Sequence, residues 1–407
     1  MSISGQRAYE LLEKINFIRP LGEPGEKKAA SILMEEIEAI GCKAVMEEFE
    51  VKLAHTTRTE LRVTAPFSME CRAAAMRFSK QTPEEGISAP FAYVDVLDGN
   101  NIDDYKGYAI AADSIKLDKD DPRSDELACL INWIGDLKNE PDMASFLVRE
   151  EKERNRRCAM SVAAADVLRM VRDGAERVHF VIEQEPFDTT SQNIVAELPG
   201  NEDIIVFGAH YDSVWAGPGM SDNGGGAVIL MELLRHFAGT EHKQTLRFVW
   251  FGGEEEGFYG SKAYLDRHSE ELKKVKLMIN LDVAGSVIGH NFVRCTCEES
   301  VANAIQFIAD ETGYRADIKQ GLMGSDSTPF ANKGIPAIGF GRGAAYGFET
   351  AHSRFDIIDF ISPKALEDMG AFIAEYAGRV LRARVFPIPS TIPENIVKRV
   401  KEMMNEQ

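Results

Sequence analysis

Cysteine is scarce: six thiols in 407 residues (Cys42, Cys71, Cys129, Cys158, Cys295 and Cys297), four of them isolated. That spacing gives no disulfide framework and reads as reduced, mostly buried thiols of a cytoplasmic protein. Cys295-Thr296-Cys297 lacks the second pair that a closed four-ligand zinc site needs, so its reading is structural. Long apolar runs are lacking too. No stretch approaches the ~20 residues of a membrane span, and Arg7, Glu10, Glu13, Lys14 and Arg19 interrupt the apolar core that a secretory signal requires. Basic charge is the third shortage, with 46 Lys and Arg against 65 Asp and Glu and a net charge of -19. Without a Lys/Arg stripe, such a field repels nucleic acid and anionic membranes, and neither is expected as a partner. What is present is a 44% hydrophobic chain, long enough for two or three domains with a sizeable core.

Apolar residues recur at helical spacing over 7–18 and 26–40, with Gly41 as the second stop, and an alternating strand follows over 43–52. From 57 to 185 the character changes to short β-like pieces (91–97, 108–112, 127–133), polar turns, a charged run over 149–157, a helix over 162–171 and a strand over 178–183. This block is expected to be an inserted smaller α+β/β domain, leaving 1–56 and 186–407 as one discontinuous domain. In the latter, 204–209, 246–251, 277–281 and 335–340 are nearly continuous apolar runs, as in strands covered on both faces. Helical patterns intervene at 226–237, 261–272, 301–312 and 363–385. That alternation predicts an α/β fold, a three-layer α/β/α sandwich with a mixed, mainly parallel central sheet. After three prolines the C-terminal stretch carries Ile396, Val397, Val400 and Met403 on one helical side. Docking on its own domain is the preferred reading over a homo-oligomer contact, which stays open.

Ligands of open α/β sheets bind beyond the carboxyl ends of the strands. Here the apolar runs lead into His210-Tyr211-Asp212, into Gly252-Gly253-Glu254-Glu255-Glu256, into Asp282, and into a Gly-rich loop ending at Ala351-His352-Ser353. Asp222 opens the 226–237 helix. Each has an ordinary reading alone: a strand-end histidine, a helix N-cap, a solvated acidic turn. Together they bring two imidazoles and at least four carboxylates to one sheet edge, where unpaired acids repel one another and a divalent cation removes the cost. His nitrogen and carboxylate oxygen suit zinc, and the set exceeds the three protein ligands of a single catalytic zinc, which suits two metals sharing one carboxylate.

In order along the chain stand His210-Tyr211-Asp212, Pro218-Gly219-Met220-Ser221-Asp222-Asn223, the Gly253-Glu254-Glu255-Glu256-Gly257 stretch running to Ser261, Asn280-Leu281-Asp282, Ser325-Asp326-Ser327-Thr328-Pro329-Phe330 and His352 to Asp356. This series resembles the dizinc aminopeptidase family, whose superfamily includes glutamate carboxypeptidases, transferrin receptors and glutaminyl cyclases. The resemblance implies that Asp222 bridges two zinc ions (cobalt or manganese as substitutes), with His210 and Asp282 on one and Glu255 and His352 on the other. It makes Glu254 the general base acting on a metal-bridging hydroxide. It makes Asp212 and Asp356 the carboxylates that hold the imidazoles of His210 and His352. The implied activity is that of a cytoplasmic metallopeptidase, an aminopeptidase taking N-terminal residues from short peptides. The alternatives are a carboxypeptidase using Arg294, Arg342 or Arg354, or a glutaminyl cyclase-like acyltransferase. Ser327 and Ser353 stand where many relatives have His and Thr, and Ala351 where some have a Tyr oxyanion donor, for which Tyr346 is a candidate substitute. The insertion resembles a protease-associated domain through the 104–108 and 160–162 segments, with a roof over the site as its implied role and a spacer as the alternative.

Overall fold

The computed structural model describes residues 1–117, 121–133, 156–201, 203–345 and 350–404. In chain order they form α1 (Gly5–Lys14), α2 (Pro24–Ile40), β1 (Ala44–Ala65), β2 (Met69–Cys71), β3 (Ala73–Ala75), β4 (Ile87–Asp98), β5 (Ala109–Lys116), β6 (Cys129–Trp133), β7 (Ala159–Val162), α3 (Ala164–Arg172) and β8 (Arg177–Leu198). There follow β9 (Ile204–His210), α4 (Gly225–Phe237), β10 (Thr245–Phe251), α5 (Tyr259–Arg267), β11 (Val275–Leu281), β12 (Gly289–Cys295), α6 (Glu299–Thr312), β13 (Ala316–Gln320), α7 (Ser327–Asn332), β14 (Ala337–Ala344), α8 (Pro363–Arg382) and α9 (Glu394–Met404). Two compact units result, Met1–Glu50 with Thr190–Gln407, and Val51–Thr189. Their boundaries fall inside β1 and β8, where continuous strand patterning gives no turn signal to mark them.

In the first unit the strand order is β13-β12-β14-β11-β9-β10-β8. β9 runs parallel to β10 and β11, and β11 parallel to β14, while β12 against β14 and β8 against β10 are antiparallel, so the sheet is mixed and mainly parallel. Every residue of β9 and β10 is buried, because helices cover both faces. On one face Phe207, Phe248, Ile279 and Phe340 pack with Leu12, Leu33, Leu230 and Ile373 of α1, α2, α4 and α8. On the other Val206, Phe251 and Met278 meet Tyr264 and Phe330 of α5 and α7. The helix ends are marked locally: Ser4 accepts from Arg7 N, Ser362 accepts from Ala365 N with Pro363 behind it, and Gly41 closes α2 in the left-handed region.

Phe207 stacks on Phe248 at 4.9 Å between ring centroids and is wholly buried. Phe207→Ala is expected to lower the unfolding free energy by about 3–5 kcal/mol, the cost of a large apolar truncation in a closed core. A denaturant midpoint unchanged from that of the parent chain would contradict this packing.

β12 and β13 were not marked in the sequence, since both are short and carry polar residues at the sheet border. The C-terminal helix α9 buries Ile396 and Val400 against Ala331 of α7, so its apolar side docks on its own unit. In the second unit β4, β5, β6 and β7 run parallel, with β3 antiparallel to β7 and β8 antiparallel to β4. Phe91, Ala111, Ile131, Met160 and Phe180 form its core with Val167 and Met170 of α3. The charged run over 149–157 lies largely outside the described residues.

Candidate active site

Parallel register brings the strand ends level: His210 pairs with Phe251, Gly208 with Asn280, and Leu281 with Phe340. The residues that leave those strands therefore start from one edge. Asp222 comes from a separate turn, Met220–Gly224, which is wider than an α-turn and contains a cis Asp222-Asn223 peptide. Gly219 precedes it at φ 56°, where a Cβ would stand 2.3 Å from the Asp222 carbonyl oxygen, so only glycine fits. The helix-cap reading of Asp222 is not realised. Asn223 does that work instead, accepting from Gly226 N at 3.0 Å and donating to the Leu281 carbonyl at 2.8 Å.

Freed from capping, the Asp222 carboxylate faces both histidines. Its Oδ1 is 3.3 Å from His210 Nε2 and its Oδ2 is 3.2 Å from His352 Nε2. Asp282 Oδ1 stands 3.2 Å from the same His210 nitrogen, and Glu255 Oε2 3.0 Å from the same His352 nitrogen. Two three-residue groups result, His210 with Asp222 and Asp282, and Asp222 with Glu255 and His352, each with donor atoms within 4.8 Å of one another. In a tetrahedron with metal–ligand bonds of about 2.0–2.1 Å, neighbouring ligand atoms lie about 3.3 Å apart. The closest contacts in both groups match that edge length, and the donor types are those of zinc.

Further residues hold these side chains in place. Asp212 is wholly buried, lies 3.3 Å from His210 Nδ1, and accepts from the backbone N–H groups of Glu254 and Glu255 at 3.1 and 3.3 Å. It thereby fixes the acidic turn, where Gly253 takes φ 69°. Glu254 Oε2 lies 3.9 Å from His210 Nε2. The hydrogen bonds of Asp356 go to Ser221 N, Ser221 Oγ and Asp222 N at 2.7, 2.8 and 2.9 Å. The expectation from the sequence is that Asp356 holds the His352 imidazole; among the described residues its hydrogen bonds go instead to the backbone that carries Asp222. His352 itself is half exposed, at φ 57°.

The cluster is short of positive charge. Burial, reinforced by neighbouring acids such as Asp282, drives the Glu254 carboxyl well above its usual range, and burial beside Asp222 raises Glu255 to about 7. Burial would make His210 a weaker base, yet Asp282, Asp212 and Asp222 reverse this and hold it protonated; the Glu255 carboxylate raises His352 to about 12. Asp222 is pulled the other way: burial opposes its ionisation, but the two imidazoles keep it charged. Asp326 is wholly buried, and burial raises its carboxyl to about 7.

Two residues that matter here were not singled out in the sequence. Arg19 is completely buried, and Ser213 bonds to its backbone in both directions. No motif signals either. Ser353 bonds to the Thr350 carbonyl and to Phe355 N within its own loop. Tyr346 lies outside the described residues. Of the arginines weighed for a substrate carboxylate, Arg342 donates to the Ser286 and Val287 carbonyls and to Asn291, Arg294 is engaged with Asp317, and Arg354 lies over the Phe355 ring.

Residues 193–377 match the model of peptidase family M28. An aminopeptidase from Bacillus subtilis, YwaD, is 33% identical over 198 residues, 45% of this chain and 43% of its own length. Leupeptin-inactivating enzyme 1 of Streptomyces exfoliatus is 34% identical over 173 residues, 40% of this chain and 39% of its own. The alignments thus span less than half of these relatives. Among solved structures, an M28 peptidase precursor from Shewanella amazonensis superposes with a TM-score of 0.77 at 22% identity, covering 95% of this chain and 97% of that one. An aminopeptidase from Aneurinibacillus gives 0.75 at 20% identity, covering 95% and 96%. At that identity the superpositions establish the fold. Among the described residues no helix is long and apolar enough to cross a membrane.

Proposed function

Because residues 193–377 match the model of peptidase family M28, we propose that the protein is a metal-dependent aminopeptidase that removes N-terminal residues from short peptides. The observation that carries this reading is Asp222, with one carboxylate oxygen at each histidine and a further acid beside each. His210 and Asp282 would hold one zinc ion, Glu255 and His352 the other, with Asp222 shared. Bound there, the ions supply Lewis-acid polarisation of the scissile carbonyl and a water of near-neutral pKa. Glu254 takes the proton of the attacking water at its carboxylate and returns it to the leaving amine, a transfer that its place beside His210 supports. Asp212 and Asp356 keep Glu254, Glu255 and Asp222 in place through backbone N–H bonds. The surplus of carboxylates favours a substrate that presents a free amine. Arg342 and Arg294 are already engaged within the chain, which weighs against capture of a substrate carboxylate. The six cysteines are free thiols, in keeping with a reducing, cytoplasmic compartment.

The test is hydrolysis of free-amine against N-blocked dipeptides by zinc- or cobalt-loaded protein, with metal analysis of the same sample. Cleavage of the free-amine series at two metals per chain is expected. Activity on N-blocked peptides alone would favour a carboxypeptidase, and one tight zinc with no hydrolysis the cyclase alternative.

Metal removal has a thermodynamic consequence. Ions that bind only the folded site stabilise it by mass action, by about 2.7 kcal/mol at one hundred times the dissociation constant. Chelation is therefore expected to lower the melting temperature, and zinc to restore it in proportion to the logarithm of its concentration. A melting curve indifferent to chelator would remove the metals from this account.

A further inference from the structure

Arg19 has no ion-pair partner: no carboxylate of the described residues lies within 4.0 Å of it, although it is completely buried. Its guanidinium instead meets five backbone carbonyls. Nε donates to Tyr211 O at 2.7 Å; Nη1 faces Ile15 O, Phe17 O and Pro218 O at 2.8, 2.9 and 2.5 Å; Nη2 donates to Gly219 O at 3.1 Å. Its own backbone is tied to Ser213, with Arg19 N donating to Ser213 Oγ at 2.9 Å and Ser213 N to Arg19 O at 3.1 Å. The 15–17 segment and two stretches of the distant 211–219 region converge on one side chain.

What these segments carry gives the contact its meaning. Tyr211 lies between His210 and Asp212. Pro218 and Gly219 lead into the turn of Ser221 and Asp222. The far end of that turn is held by Asp356, so the turn is gripped from both sides. The charges nearest to Arg19 beyond hydrogen-bond range are Asp212, Asp356 and Glu255, members of the same cluster. A buried cation without a bonded counter-ion is costly, and here the cluster itself serves as the counter-charge.

Resting on the functional reading above, we infer that Arg19 is a positioning residue for the metal centre: its planar fork sets the spacing between the His210–Asp212 strand end and the Asp222 turn, and its charge offsets the carboxylates on the side facing away from the metals. A lysine keeps the charge but gathers its donors at one point and cannot span carbonyls on both loops.

The experiment measures zinc dissociation constants by chelator competition for wild-type protein, Arg19→Met, Arg19→Lys and Arg247→Met. Loss of a residue that orients metal ligands weakens binding by about 10–100-fold. Arg19→Met is expected to fall in that range, Arg19→Lys to be milder but still several-fold weakened, and cobalt-loaded Arg19→Met to show an altered visible absorption spectrum. Arg247, also buried but paired with Glu197 and Glu271, is the control. Arg247→Met should lower the melting temperature and leave zinc affinity unchanged. If Arg19→Met does not fold, Ser213→Ala tests the same tether, with zinc affinity expected to drop threefold or more. Wild-type affinity in Arg19→Met, or in Ser213→Ala where that variant stands in, overturns the inference, and so does full rescue by lysine, which would reduce Arg19 to a charge. Wild-type protein that binds no zinc would refute the functional reading itself, a different result from zinc bound equally by all four proteins.

Discussion

Glu254→Gln is expected to retain both metals and lose about 10²–10⁴-fold in kcat, the range attributed to one positioned proton-transfer group. Glutamine keeps the size and one acceptor oxygen of the side chain but cannot take a proton. The backbone bond from Glu254 N to Asp212 Oδ1 does not involve the side chain, so the turn that also carries Glu255 should stay in place. Because Glu254 is assigned to no metal, KM for a free-amine dipeptide and the zinc content should change little. Steady-state kinetics and metal analysis on one preparation decide it. A variant that turns over at the parental rate with full zinc would transfer the proton to another group, and buried Asp326 would be next in line.

Asp222→Asn should be more damaging, because in the proposed assignment Asp222 is shared by both metals. Each oxygen of Asp222 serves one histidine group. An amide offers one oxygen and turns an NH2 group, with its partial positive charge, towards the other ion. It would also remove a full negative charge from between the two proposed dications. Activity is expected to fall below detection and bound zinc to drop to one ion per chain or fewer, while the hydrogen bond from Asp222 N to Asp356 keeps the turn folded. Two zinc ions retained at parental affinity would show that Asp222 does not bridge. Asp282→Asn offers a graded comparison, since it touches only the His210 group and should weaken one ion alone.

Much of this site was legible because parallel strands buried on both faces read as continuous apolar runs. Each run pointed to its own carboxyl end, and His210, Glu254, Glu255 and Asp282 all stand there. Asp222 was legible only by its place among the motifs, since an isolated Asp before a helix has the ordinary reading of a cap; the turn that gives capping to Asn223 and turns Asp222 inwards depends on contacts with Leu281 and Asp356. The role of Asp356 was read differently for the same reason. The resemblance implies a bond from Asp356 to the His352 imidazole, whereas its hydrogen bonds go to the 221–222 backbone, a pairing that only the fold of that turn sets. Arg19 left no trace, because its partners are carbonyl groups, which every residue possesses.

Order, spacing and chemical type of the side chains proposed to bind metal were set by the sequence itself, as was the layered α/β plan, because apolar periodicity states which surfaces must be covered. Which oxygen faces which nitrogen, and which buried groups hold them there, was decided only by tertiary structure. Those contacts join positions as remote as Arg19 and Gly219, and strand register and backbone direction, absent from any local pattern, set their distances.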